Sequence, residues 1–106
     1  MDKVKYTLTE EDLQLLYPLC SVSDIIALFP EHAPKEWTIR RRYRRLGLAP
    51  INTAYKSYLT SLESHRPEDK TREEWRAECE QTTKEILEAQ CEKIWEKIRT
   101  VESRSV

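Results

Sequence analysis

The sequence predicts an all-α protein, and three observations support that class. Glu, Lys, Arg and Leu are abundant, whereas the 106-residue chain contains a single Gly. Apolar residues recur three and four positions apart and rarely alternate as a half-buried strand requires. Prolines and capping residues separate the apolar stretches. We expect a trihelical head at 6–48, followed at 49–106 by a short helix and a long amphipathic helix.

The first two helices are predicted from their starts and ends. Thr9 with Asp12, and Ser21 with Asp24, each form a capping-box pattern that satisfies free amides at a helix start. The apolar stretches LQLLYP and SVSDIIALFP each end on proline. The residue before a proline disfavours helical geometry, so each helix should stop there.

The third helix is expected from Pro34 to Leu46. Proline suits the first turn of a helix, and Gly47 stands where a left-handed residue ends one. Ile39, Tyr43 and Leu46 share one face of this helix and should pack on the first two helices. The short connection from the second helix requires a large crossing angle, as in a helix-turn-helix.

Positive charge is concentrated on this third helix. From Lys35 to Arg45 there are six basic side chains and one acid, although the net charge of the chain is −1. A focused basic patch is typical of phosphate contact. The alternative is a solvated helix face that forms ion pairs with the acidic residues at 10–12. The predicted DNA-binding residues are Trp37, Thr38, Arg40, Arg41, Arg44 and Arg45.

These residues are assigned different tasks. Groove geometry favours Thr38 and Arg41 as base readers, because Arg forks onto guanine and the first half of a recognition helix reaches base edges. Trp37 is expected against a thymine methyl group or the backbone. The other three arginines are expected to clamp phosphates. Arg42 should lay its stem over the core while its head reaches water.

The strings LTEEDLQLLYP, SVSDIIALFP and TIRRRYRRLGL, in this order, resemble the Myb/SANT-like, homeodomain-like trihelical DNA-binding modules of phage and bacterial proteins. The resemblance covers about Tyr6 to Leu48, under half of the chain. Tyr6 stands where such modules often carry Trp. The resemblance implies that the third helix enters the major groove of double-stranded DNA.

The long helix is predicted to assemble copies of the chain. Thr71 and Glu74 form another capping pattern, and no Gly or Pro interrupts the sequence to about Val101. Its apolar residues keep a four-three spacing typical of helices that pack on partner helices. The short fourth helix cannot cover this stripe, so we expect a homo-oligomer. The predicted oligomerisation residues are Trp75, Leu87, Cys91, Ile94, Trp95 and Ile98.

Several functional classes are excluded at this stage. No apolar run approaches the roughly 18 residues that span a bilayer, and the start of the sequence has no apolar signal core, so we expect a cytoplasmic protein. The three cysteines and two histidines match no metal-ligand spacing, and His32 and His65 are expected at the surface. One glycine cannot build a phosphate-binding loop. We expect no metal, no cofactor and no enzymatic activity.

The sequence therefore predicts a sequence-specific DNA-binding protein, most simply an oligomeric transcriptional regulator. The layout of a DNA-binding head and a helical assembly region also resembles phage terminase small subunits, which recognise viral DNA for packaging. A third hypothesis is an interaction adaptor whose SANT-like head binds an acidic protein surface.

Overall fold

The computed structural model describes residues 5–104, and within this range it contains five helices and no strand. The all-α class and the order of four shorter helices before one long helix are confirmed. Residues 105–106 of the predicted second region lie outside the described range. The helices are α1 (Glu10–Leu16), α2 (Val22–Leu28), α3 (Glu36–Arg45), α4 (Ile51–Ser64) and α5 (Arg72–Arg104).

The predicted starts of α1, α2 and α5 are confirmed by their hydrogen bonds. The Asp12 amide donates to Thr9 Oγ1 at 3.2 Å, and the Thr9 amide donates to Asp12 Oδ2 at 3.0 Å. Ser21 and Asp24 form the same reciprocal pair with the same two distances. The Thr71 hydroxyl accepts from the backbone amide three residues later, at 3.1 Å. Local sequence therefore fixes where α1, α2 and α5 begin.

The third helix is shorter than predicted. It begins at Glu36, because Lys35 has extended backbone (ψ 153°) and acts as the N-cap without a side-chain hydrogen bond. Pro34 therefore belongs to the preceding turn. At the other end, Gly47 has φ +76°, the left-handed conformation that was predicted to end the helix.

One hydrophobic core joins the head to the C-terminal half of α5. Ile94 and Ile98 are buried in the same cluster as Leu13 of α1, Ile25 of α2 and Ile39 of α3. The predicted boundary after Leu48 therefore does not separate two cores. The core residues are Leu8, Leu13, Leu16, Cys20, Val22, Ile25, Phe29, Ile39, Tyr43, Ile51, Cys91, Ile94 and Ile98.

Three of the residues predicted for oligomerisation belong to this core. Cys91, Ile94 and Ile98 were expected to face a second subunit, but α5 folds back over α1 and buries them inside its own chain. Trp95 stacks on Phe29 with ring centroids 5.2 Å apart, so it also serves the internal core. The apolar stripe of α5 thus covers the side of the head that α3 leaves open.

The N-terminal half of α5 pairs instead with α4. Trp75 Nε1 donates to the Leu62 carbonyl at 2.9 Å, and Leu87, further along α5, is half-buried and packs against the core. We call residues 52–64 and 72–90 the α4–α5 hairpin. The whole molecule is elongated, at 60 × 26 × 18 Å. None of its described helices combines the length and apolar character needed to cross a membrane.

Candidate nucleic-acid interface

The exposed side of α3 carries the predicted DNA-binding side chains. With about 100° between successive residues of an α-helix, Trp37, Arg44 and Arg45 all fall within about 60° of Arg41. Arg40 lies at the margin of the same surface, and all five side chains are exposed. We call these five residues the arginine face. Thr38, also predicted to contact DNA, is half-buried at its edge.

The opposite side of α3 is held firmly against α1. Ile39 and Tyr43 are buried, and the Tyr43 hydroxyl donates to the Leu13 carbonyl. Burial raises the pKa of Tyr43 well above its usual value, so the hydroxyl remains a donor across the physiological range. Arg42 adds a 2.8 Å hydrogen bond from Nη1 to the Leu8 carbonyl. These contacts fix the rotation of α3 and therefore the direction of the arginine face.

Two members of the arginine face form ion pairs. Arg40 lies 3.0 Å from Glu36 within α3, and Arg45 lies 3.2 Å from Glu10 of α1. The Glu10 pair is the contact that the solvated-face hypothesis predicted. Both arginine side chains are nevertheless well exposed, at 42% and 62%. Exposed pairs contribute about 0–1 kcal/mol, so a phosphate can replace either carboxylate at little cost.

The other two arginines have no carboxylate within ion-pair distance among residues 5–104. Arg44 makes no side-chain hydrogen bond there either, and the Arg41 guanidinium lies 6.0 Å from the Trp37 ring centroid. Trp37 itself is 60% exposed. Trp37 and the guanidinium groups of Arg41 and Arg44 therefore place apolar and positively charged surface side by side on α3.

The basic character is specific to this surface. α3 contains five arginines and one acid, whereas α5 contains nine acidic and seven basic residues. A polyanion would therefore be attracted to the arginine face and weakly repelled by α5. This asymmetry gives the molecule one preferred side for a charged partner.

Asp12, which the sequence predicted only as part of a helix cap, also links the head to α5. Asp12 is fully buried and accepts from the Thr9 amide, the Tyr6 hydroxyl and Lys97 Nζ, the last at 3.1 Å. Burial alone would raise the pKa of Asp12, but these hydrogen bonds and the lysine charge hold it below its usual value. Burial and the bond to Asp12 raise the pKa of Tyr6 to about 12. The network ties α1 to α5.

The turn before α3 is anchored by a histidine that was expected at the surface. His32 is buried. Its Nε2 lies 3.0 Å from Glu102 Oε2, and its ring contacts the Trp95 ring edge-on. The His32 carbonyl accepts from the Leu8 amide at 3.0 Å. No sequence signal marked these long-range partners. His65 is exposed, as predicted.

No group of three potential metal ligands occurs in the described part of the chain. The three cysteines are free and buried. Burial raises the pKa of Cys20 to about 12, which makes its thiol a poor nucleophile at neutral pH. The arginine face itself combines exposed positive charge with one exposed aromatic ring.

Comparison with known proteins gives no matching family model, curated protein or solved structure.

Proposed function

We propose that this protein binds double-stranded DNA sequence-specifically through the arginine face and acts as a transcriptional regulator. One observation carries the proposal: Arg41, Arg44 and Trp37 lie exposed on one side of a helix whose other side is locked into the core. A single α-helix with its side chains fits the B-DNA major groove, about 12 Å wide. In this pose α2 and α3 form the helix-turn-helix, and α1 packs behind them.

The side chains divide the work by position. Arg41 at the centre of the face forks onto guanine, while Arg40, Arg44 and Arg45 contact phosphates on either side. Releasing Arg40 and Arg45 from their exposed carboxylate partners costs little. Thr38, half-buried at the edge, reaches DNA only at the margin of the contact.

The first experiment removes the two unpaired arginines. Arg41→Ala with Arg44→Ala should weaken binding to a duplex selected from random sequence by at least about 30-fold, because a specific arginine contact contributes about 1–3 kcal/mol. Fluorescence anisotropy measures the affinity, and circular dichroism checks that helicity is retained. Lys56→Ala with Lys93→Ala removes the same charge from exposed sites on α4 and α5 and should change affinity less than threefold. Equal losses in both pairs would refute the assignment.

Salt dependence separates DNA binding from the adaptor hypothesis. Phosphate contacts release counterions, so the logarithm of the affinity should fall linearly with the logarithm of salt concentration. Losing one phosphate contact lowers the slope by about one. Binding that ignores salt would favour an adaptor that recognises a protein surface.

Trp37 allows a test at the level of single atoms. If its ring packs on a thymine methyl group, replacing that thymine by uracil should weaken wild-type binding about threefold, the effect of losing one small apolar contact. The same replacement should have no effect in Trp37→Ala. A loss that persists in the variant would place the methyl group against another residue.

Assembly can use only the part of the predicted oligomerisation surface that the core does not bury. One head makes few base contacts, and linked heads bind more tightly through effective concentration. With Cys91, Ile94 and Ile98 internal, we propose that copies associate through the α4–α5 hairpin, where Tyr58 and Leu62 are only half-buried. Light scattering distinguishes the roles: a dimer supports the regulator, and a ring of eight or more supports the terminase-like alternative.

A further inference from the structure

A cleft with a largely apolar floor lies where α2, α4 and α5 meet, away from the arginine face. Its volume is about 300 Å³, the lower end of the range for ligand pockets. Leu19, Leu28, Leu59 and Leu87 provide its apolar lining. An organic molecule of one or two rings would replace water against these side chains.

The cleft also contains a buried polar atom without a partner. Thr83 of α5 lines it and is only 4% exposed, and its hydroxyl forms no hydrogen bond with any described residue. A buried hydroxyl without a partner is unfavourable, so structures seldom retain one unless water or a ligand completes it. Threonine in a helix adopts two χ1 rotamers, so a small rotation can turn the hydroxyl toward a bound molecule.

Negative charge dominates the polar part of the lining. Asp24 and Glu80 contribute carboxylates from α2 and α5, against the single ammonium group of Lys84. The same carboxylates lie near Tyr55: burial, and then the charge of Asp24, raise the pKa of Tyr55 above the usual value, and Glu80 adds to the effect. A ligand with a positive charge is favoured here over a neutral or anionic one.

We propose that this cleft binds a small organic cation with an aromatic or aliphatic body. The apolar body lies against the four leucines, the cationic group lies near Asp24 and Glu80, and a polar atom of the ligand pairs with the Thr83 hydroxyl. The site requires no DNA and is independent of the arginine face.

Three probes with one skeleton test the charge preference. Tyramine is cationic at neutral pH, tyrosol is its neutral alcohol and 4-hydroxyphenylacetate is the anion. Titration followed by amide NMR shifts should show tyramine binding about fivefold more tightly than tyrosol, the effect of one favourable partly exposed ion pair, with the anion weakest. The shifts should centre on Ala27, Tyr55 and Thr83. Equal affinities, shifts centred elsewhere, or no saturation by about 10 mM would overturn the proposal.

Two variants test the assigned contacts. Glu80→Gln should reduce the advantage of tyramine over tyrosol to about twofold, because it removes one exposed charge contact. Glu88→Gln, on the same helix outside the cleft, should preserve it. Thr83→Val should weaken both tyramine and tyrosol by about threefold to tenfold through the lost hydrogen bond. If Glu80→Gln and Glu88→Gln act alike, or Thr83→Val binds both probes as wild type does, the assignment is wrong.

Discussion

The two halves of α5 have similar sequence patterns and very different surroundings. In its C-terminal half, Cys91, Ile94 and Ile98 enter the same core as residues of α1, α2 and α3, and Ile94 is 0% exposed. In the α4–α5 hairpin only Cys79 and Thr83 are buried, and Ile86 is 40% exposed. Two helices alone have a single shared face and enclose few side chains. Helix periodicity therefore predicts which side of α5 is apolar and leaves open what covers it.

The difference implies an order of stabilities along the chain. The head together with the C-terminal half of α5 should unfold as one unit, because one core contains both. The hairpin should open at lower free energy, since few of its apolar contacts are shielded from water. The two proposed binding surfaces follow the same division: α3 is held rigidly by the closed core, and the cleft lies at the junction with the looser hairpin.

Separating the head from α5 should have the largest effect. A fragment of residues 1–50 loses Ile51, Cys91, Ile94 and Ile98 from the core, and chains of this size are marginal even with an intact core. We expect an unfolded fragment, with little helical circular dichroism and narrowly dispersed NMR signals. A well-dispersed spectrum would restore the predicted domain boundary after Leu48.

A matched pair of substitutions compares the two halves of α5 directly. Ile94→Ala should lower the free energy of unfolding by about 3 kcal/mol, because it leaves a cavity in a closed core. Ile86→Ala, on the exposed side of the hairpin, should lower it by less than about 0.5 kcal/mol. Urea denaturation measures both values. Similar losses would show that α5 is equally enclosed along its length and would contradict the difference in exposure between Ile94 and Ile86.

The features predicted correctly from sequence depend on neighbours close in the chain. The pairs Thr9–Asp12 and Ser21–Asp24 are three residues apart, so their capping bonds follow from local geometry. Gly47 likewise ends α3 through a conformational preference of its own backbone. Helix class and helix order rest on many such local signals.

The features that sequence did not predict depend on distant partners. Lys97 reaches Asp12 across 85 positions, and His32 meets Glu102 across 70. Arg42 was expected to reach water, but its guanidinium donates to the Leu8 carbonyl. A pattern along one helix cannot identify the group that another helix brings to it. The arginine face was largely predictable because it faces outward, where only the helix phase matters.

Acid should weaken the contact between α1 and α5 that Asp12 and Lys97 form. The pKa of Asp12 is lower in the folded protein than its unfolded value of about 4. The stability that the ionised Asp12 contributes is therefore complete above about pH 4 and is lost as the pH falls through the lower pKa of the folded state. Asp12→Asn should cost about 2–3 kcal/mol at pH 7, because Lys97 loses its charged partner.

Urea denaturation across pH 2–7 measures this effect, because the range includes pH values above and below the unfolded pKa of Asp, about 4. The stability difference between wild type and Asp12→Asn should shrink below about pH 4. Asp69→Asn, in the exposed turn before α5, should stay within about 0.5 kcal/mol of wild type at every pH. A constant difference between wild type and Asp12→Asn would mean that Asp12 acts through shape and not through charge.

The smallest expected effect, and the one of opposite sign, is in the hairpin. Thr83→Val replaces a buried hydroxyl that has no described hydrogen-bond partner by a methyl group of similar size. Removing such an atom eliminates its desolvation cost, so the free energy of unfolding should rise by about 0.5–1 kcal/mol. Thr82→Val on the exposed side of the same turn controls for the change in helix propensity and should be nearly neutral. A loss of stability in Thr83→Val would show that a water molecule already forms a hydrogen bond with the Thr83 hydroxyl. The buried polar groups of the hairpin would then be as fully hydrogen-bonded as those of the head, although fewer apolar side chains are buried there.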